Sequence, residues 1–208
     1  MAAADPNNAS ARLTLAIGLF RLSFPLKLSD PQGAVKSARE SVALFDKLIP
    51  EGKRSFLVTS RRGRALRRLS EALQFAGQGG EAQAVAAEAL VAQRNAAARD
   101  AKDVQEATLL AFTLLTNAEA AESLHDPAPA LAFLTEAEQI VAQGYLRSPN
   151  ELTPVIPLAR VRDALSLHWH KAGNAAESQR WLNESRRLWR AFPDQNEFVR
   201  RKVAEMAL

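Results

Sequence analysis

The chain contains no cysteine. Disulfides, thiolate metal sites and a cysteine nucleophile are therefore excluded, although the absence says nothing about compartment. Long apolar runs are missing too. The longest, LTLAIGLF at residues 13–20, is far short of the ~20 residues that a membrane helix needs. No basic stretch precedes it and no small-residue cleavage site follows, so it makes a poor signal peptide. Membrane insertion is not expected, and the chain reads as soluble. Aromatic residues are scarce, at 6% with a single tyrosine, and runs of β-branched residues hardly occur.

What remains is rich in alanine and leucine, a helical composition. Hydrophobic content of 47% with 24% charge is that of a globular chain. Its length of 208 residues suits one domain or one short repeat array. The net charge of +4 hides an alternation. Residues 1–68 carry 13 basic and 5 acidic side chains, residues 69–142 carry 3 and 11, and residues 143–208 carry 11 and 7. A nucleic-acid binder is expected to be basic throughout; alternation fits a scaffold better.

The chain repeats itself every 48 residues. Ser29, Gly77, His125 and Gly173 open four turn-then-helix segments in register. Five residues on stand Ala34, Ala82, Ala130 and Ser178; then Ala38, Ala86, Leu134 and Leu182; then Ser41, Ala89, Ala137 and Ser185. Steps of four and three put these on one helical face, where small side chains admit a neighbouring helix. A second amphipathic segment precedes each anchor. The spacing predicts helices over 9–28, bent or ended near Pro25, and over 55–76 with Leu66, Leu69 and Leu73 on one face. Further helices follow over 103–124 and over 151–172, the latter with Pro154 and Pro157 in its first turn. Pro50 and Gly52 close the first unit, a break falls near 95–100, and GYLRSPN separates the third unit from the fourth. After Pro193, residues 196–206 form a terminal helix whose Phe198, Val203 and Met206 cover the last pair.

Helix, tight turn and helix with small residues at these spacings resemble the tetratricopeptide repeat. DPNNASARLTLAI, residues 5–17, resembles the junction between two such repeats, and GRALRRLSEALQFAGQGGEAQAVAAEAL, residues 63–90, resembles a nearly complete one. The period is longer than the usual ~34 residues, and Ser70, Ala118 and Ser166 stand where first helices usually have a small residue and glycine. The long period and SRRLWRAFP, residues 185–193, are similar to the repeat-bearing C-terminal tails of bacterial serine/threonine kinases; no kinase catalytic motif is present. The resemblance implies an all-α, right-handed α-solenoid of four antiparallel helix pairs, at about 9–50, 53–99, 100–146 and 150–192, plus the cap. It also implies that Met1 begins a piece of a longer chain, cytoplasmic, or extracytoplasmic if the whole is a membrane-anchored kinase.

No catalytic constellation assembles. His168 and His170, two apart on a helix, point to different faces and do not chelate one metal. Gly77, Gly79 and Gly80 lack the strand and Lys-Ser/Thr of a phosphate loop. The serines have no motif that brings a base beside them. No enzyme, metal or cofactor is expected. The most unusual feature is basic: Lys53, Arg54, Arg61, Arg62, Arg64, Arg67 and Arg68 occur within sixteen residues with no acid among them. This is either a solvated helix face, a surface paired with the acidic second and third units, or a site for an anionic partner. Positive charge at a helix N-terminus opposes the macrodipole.

In the family, first helices line the concave groove. By that register Arg64, Arg67, Glu71 and Gln74 face it, followed by Leu115, Glu119 and Glu122, then by Arg160, Asp163, Leu167 and His170. The Lys/Asn clamp of the chaperone-binding members is missing. Trp181 and Trp189 read as core or cap packing. The expected function is a non-catalytic protein- or peptide-binding module, the docking or sensor tail of a larger signalling protein. Its partner is acidic or phosphorylated, and Arg64 and Arg67 are the main contacts. The alternative is a nucleic-acid binder using residues 53–68. Against it, no aromatics interleave with the arginines to stack on bases.

Overall fold

Alanine-rich segments with apolar residues every three or four positions fold as helices that bury one face. A computed structural model describes residues 8–50, 56–100 and 102–205, and among them helices are the only regular structure. These are α1 (Ala9–Ser29), α2 (Pro31–Leu48), α3 (Phe56–Phe75), α4 (Gly79–Ala97), α5 (Val104–Ser123), α6 (Pro127–Arg147), α7 (Leu152–Lys171), α8 (Ala175–Ala191) and α9 (Glu197–Glu205). The expected helices are present, with ends shifted by a residue or so. Two prolines behave differently from expectation. α1 runs through Pro25 to Ser29, because proline removes a single backbone bond from a helix held by packing. Pro157 lies in the second turn of α7, not the first, and so leaves the Thr153 carbonyl without its helical partner. Lys53, Arg54 and Met206 lie outside the described residues.

The 48-residue period is a backbone device. Gly77, His125 and Gly173 all have left-handed φ, at 75°, 60° and 74°. Behind each, the same bond closes the turn: Gln78 N–H to Leu73 O, Asp126 N–H to Ala121 O, and Asn174 N–H to Trp169 O, at 2.9, 3.0 and 2.9 Å. This is the glycine-type helix stop. The first member of the series departs from it. Ser29 is still helical, and Asp30 caps α2 by accepting from the Gly33 N–H at 2.9 Å. His125 holds a conformation that β-carbon sterics disfavour and glycine does not. His125→Gly is therefore expected to raise stability by about 1 kcal/mol, read as a higher urea midpoint at unchanged slope.

The chain divides into two compact units, Met1–Ala101 with Glu119–Asp126, and Lys102–Ala118 with Pro127–Leu208. In unit 1, α1 packs on α2, α2 on α3, α3 on α4, and α1 also on α3. Ala34, Val35 and Ala38 of α2 meet Leu69, Ala72 and Leu73 of α3 and Ala82 of α4. Ala16 and Phe20 of α1 meet Phe45 and Leu48 of α2 and Val58 and Ala65 of α3. In unit 2, α6 packs on α7, α7 on α8, and α8 on α9. The edge of the Trp189 ring meets Phe198 of α9, centroids 5.9 Å apart, and Val199 is buried, so α9 packs on α8.

Of the twelve small or apolar register positions, all are buried except Ser178 and Leu182, which are half-buried. Close approach lets hydroxyls bond across helices. Ser41 Oγ donates to the Ala16 carbonyl at 2.7 Å and Ser70 Oγ to Ala82 at 2.8 Å. Two and three periods on, Ser166 donates to Ser178 at 2.9 Å and Ser185 to Ala159 at 3.3 Å. Two arginines tie second helices together. Arg62 of α3 grips Asp46 of α2 at 2.5 Å and Glu88 of α4 at 2.7 Å. Arg162 of α7 grips Glu138 of α6 at 3.0 Å and Glu184 of α8 at 3.6 Å.

Candidate binding surface

α1 and α3 lie against each other in unit 1, and their facing side chains form a charged constellation round one buried carboxylate. Glu71 is its centre. Arg67, one turn back on α3, donates to Oε1 of Glu71. Oε2 is shared by Arg68, at 2.6 Å, and by Lys27 from α1, at 3.3 Å. Burial alone pushes a carboxyl up, but Arg67, Arg68 and Lys27 together outweigh it and lower the Glu71 pKa to about 2. Phe24 and Phe75 flank the cluster, 46% and 50% exposed. The Lys27 ammonium lies 4.7 Å from the Phe24 ring centroid and 5.2 Å from that of Phe75, and the Arg68 guanidinium lies 4.1 Å from that of Phe24. These are cation–π distances.

The α3 positions expected on the groove thus share one face but not one role. Arg67 and Glu71 are buried against each other; Arg64 and Gln74 are half-buried. On α5, Leu115 is buried, Glu122 half-buried and Glu119 exposed. In unit 2, Leu167 and His170 are exposed, while His168 is buried, so the two histidines do point apart. Arg160 lies 5.0 Å from the Phe112 ring centroid. Asp163 is half-buried, and burial raises its carboxyl pKa against the opposing pull of Ser185, Lys202 and Arg160.

No family model matches the chain, and no curated protein is significantly similar to it. Among the described residues no three His, Cys, Asp or Glu side chains gather to hold a metal ion, and no helix is long and apolar enough to cross a membrane.

The basic cluster read from the sequence divides accordingly. Arg62 holds two acids, and Arg67 and Arg68 hold a third. Sequence reasoning missed Phe24, Lys27 and Phe75. The available signal was Phe24 and Lys27 at i and i+3 on a helix that is apolar nearly all round, which acquires meaning only once α1 is placed beside α3.

Proposed function

We propose that the chain is a non-catalytic protein- or peptide-binding module of the tetratricopeptide kind, a right-handed solenoid of four helix pairs with a cap. It serves as the docking or sensor tail of a larger bacterial signalling protein. Its α1–α3 face takes an acidic or phosphorylated segment. One observation carries this reading: Lys27 and Arg68 share a single oxygen of Glu71 beside two half-exposed phenylalanine rings. Each cation has more donors than that oxygen accepts, and a carboxylate or phosphate arriving between the rings takes the remainder in charge-assisted bonds. Arg67 anchors Glu71 from beneath, so Lys27 and Arg68, rather than Arg64 and Arg67, are the leading contacts. Glu119 and Glu122 favour basic residues elsewhere on the ligand and reject uniformly acidic ones.

A nucleic-acid reading draws on the same rings, since bases stack on aromatic faces. The Phe24 ring already carries Lys27 and Arg68, which favours the peptide reading. The experiment is fluorescence anisotropy with an acidic peptide, its phosphoserine form, an uncharged analogue and mixed RNA. Lys27→Gln/Arg68→Gln is expected to weaken the acidic and phosphorylated peptides at least roughly tenfold, while the exposed control Arg190→Gln/Arg200→Gln binds normally. Equal binding by both folded double variants sinks the assignment of this face. Tightest binding to RNA with a steep salt slope replaces it with the alternative.

A further inference from the structure

We infer that the exposed face of α1 is where a second copy of this chain docks, as an antiparallel helix pair centred on Gly18. α1 buries Ala16 and Phe20 against α2 and α3. On its other side Leu15, Gly18, Leu22 and Pro25 follow one another at steps of three and four, all exposed. That spacing makes a continuous apolar ridge. Gly18 is its informative member. Glycine in a helix interior costs stability, and it suits a place where another backbone comes close. Two other helical glycines have such a neighbour. A β-carbon at Gly63 of α3 would lie 3.3 Å from Ala92 of α4, and one at Gly144 of α6 would lie 3.9 Å from Pro154 of α7. At Gly18 it would meet nothing within 4 Å. Packing inside the chain makes no use of this glycine; an incoming helix would.

The residues round Gly18 say which helix. Leu15 stands three residues before it and Leu22 four after; Ala11 and Pro25 stand seven before and seven after. Turned end for end about Gly18, the ridge therefore meets itself. Leu22 of one copy packs on Leu15 of the other, and Pro25 on Ala11. That is the self-complementarity of a two-fold contact. The charges agree with it. None of these five residues is charged, and the nearest exposed charge is Arg21. In the antiparallel pair Arg21 lies about 9 Å along the axis from its twin, where physiological salt screens the repulsion. A parallel pair would set the two arginines level. α1 has 21 residues, so it is about 30 Å long and about 10 Å across. Two such helices bury less than the ~1,600 Å² of a standard interface, which makes the dimer weak and reversible.

The contact does not depend on the peptide reading, because its readout is mass. Analytical ultracentrifugation of the whole chain up to about 1 mM is expected to show a monomer passing to a dimer, with a midpoint near about 100 µM. Gly18→Leu is expected to melt no lower than the parent at low concentration, yet to weaken association at least roughly tenfold. Leu22→Glu, at an exposed position, is expected to weaken it as much, and decides the matter should Gly18→Leu not fold. Val91→Glu, on the exposed side of α4, is the unchanged control. The chain has no cysteine, so Gly18→Cys supplies a single thiol at the two-fold axis. Mild oxidation is expected to link its copies at least roughly tenfold faster than those of Leu28→Cys, whose thiols lie about 30 Å apart along the axis. A chain monomeric at every concentration, full association in folded Gly18→Leu, or equal linking at the two positions overturns the inference. A monomer that pellets with anionic vesicles overturns it too, and gives the face to a lipid surface.

Discussion

Replacing Glu71 by glutamine is expected to lower the stability of the protein by about 3–5 kcal/mol, because it leaves Arg67, Arg68 and Lys27 gathered round a neutral amide. The arrangement also fixes a pH window. The folded-state pKa of Glu71 is about 2, below the ordinary 4.5. The stabilisation is therefore fully present above the unfolded value, declines as pH falls, and is gone once pH passes through the folded value. Its size at neutral pH is on the order of 3 kcal/mol, of which about 2 kcal/mol is lost by pH 3. Urea unfolding of the parent chain and Glu71→Gln at pH 7 and pH 3 reads this directly. The gap between the two proteins should narrow by about 2 kcal/mol on acidification, whatever other carboxyls do in both. A gap equal at the two pH values would falsify the three-cation account of Glu71.

The other large effect comes from the small-residue face. Ala86 of α4 and Ala137 of α6 are both 0% exposed. An arginine at either position drives a long charged side chain into a close helix contact with no carboxylate waiting. Overpacking and an unpaired buried charge act together, and a loss of several kcal/mol is expected. Ala87→Arg, one residue along and exposed, is the control and should stay within about 0.5 kcal/mol of the parent. If Ala86→Arg and Ala137→Arg melt where Ala87→Arg does, the 48-residue register does not define the buried face.

The turns were the most readable part of the sequence, for a steric reason. A left-handed helix stop favours glycine, so Gly77 and Gly173 announce their own backbone, and the register carries the inference to His125. It does not carry to Ser29, where Asp30 and Pro31 offer a different way to end one helix and begin the next. The buried face was readable as well, because alanine and serine at steps of four and three admit few other uses in an amphipathic helix. The surface was harder. Arg67 and Arg68 differ by one position, about 100° around a helix, and nothing in the local pattern says that both reach back to Glu71. The partners of Glu71 include Lys27, 44 residues away, and such pairs become visible only through the adjacency of α1 and α3. The repeat register puts Asp163 on a groove, whereas the cleft that it shares with Trp189 and Phe198 needs α9 in place.

The two arginine clamps bear on cooperativity. Arg62 and Arg162 each reach from a first helix to the second helices of its own pair and of the pair before it, while the apolar cores lie elsewhere. In a linear array, stability is a sum of what each pair holds alone and what neighbours hold jointly. Apolar packing contributes to both quantities, since the buried clusters of unit 1 run from α1 and α2 onto α3 and from α2 onto α3 and α4, and it is insensitive to modest salt; the clamps add to the second and are screened by it. Ionic strength therefore acts on how far an opening at one pair spreads to the next, more than on how readily any pair opens. Concentrated salt therefore weakens the link between α2 and α4 in unit 1 and that between α6 and α8 in unit 2, and leaves the apolar share of the coupling in place.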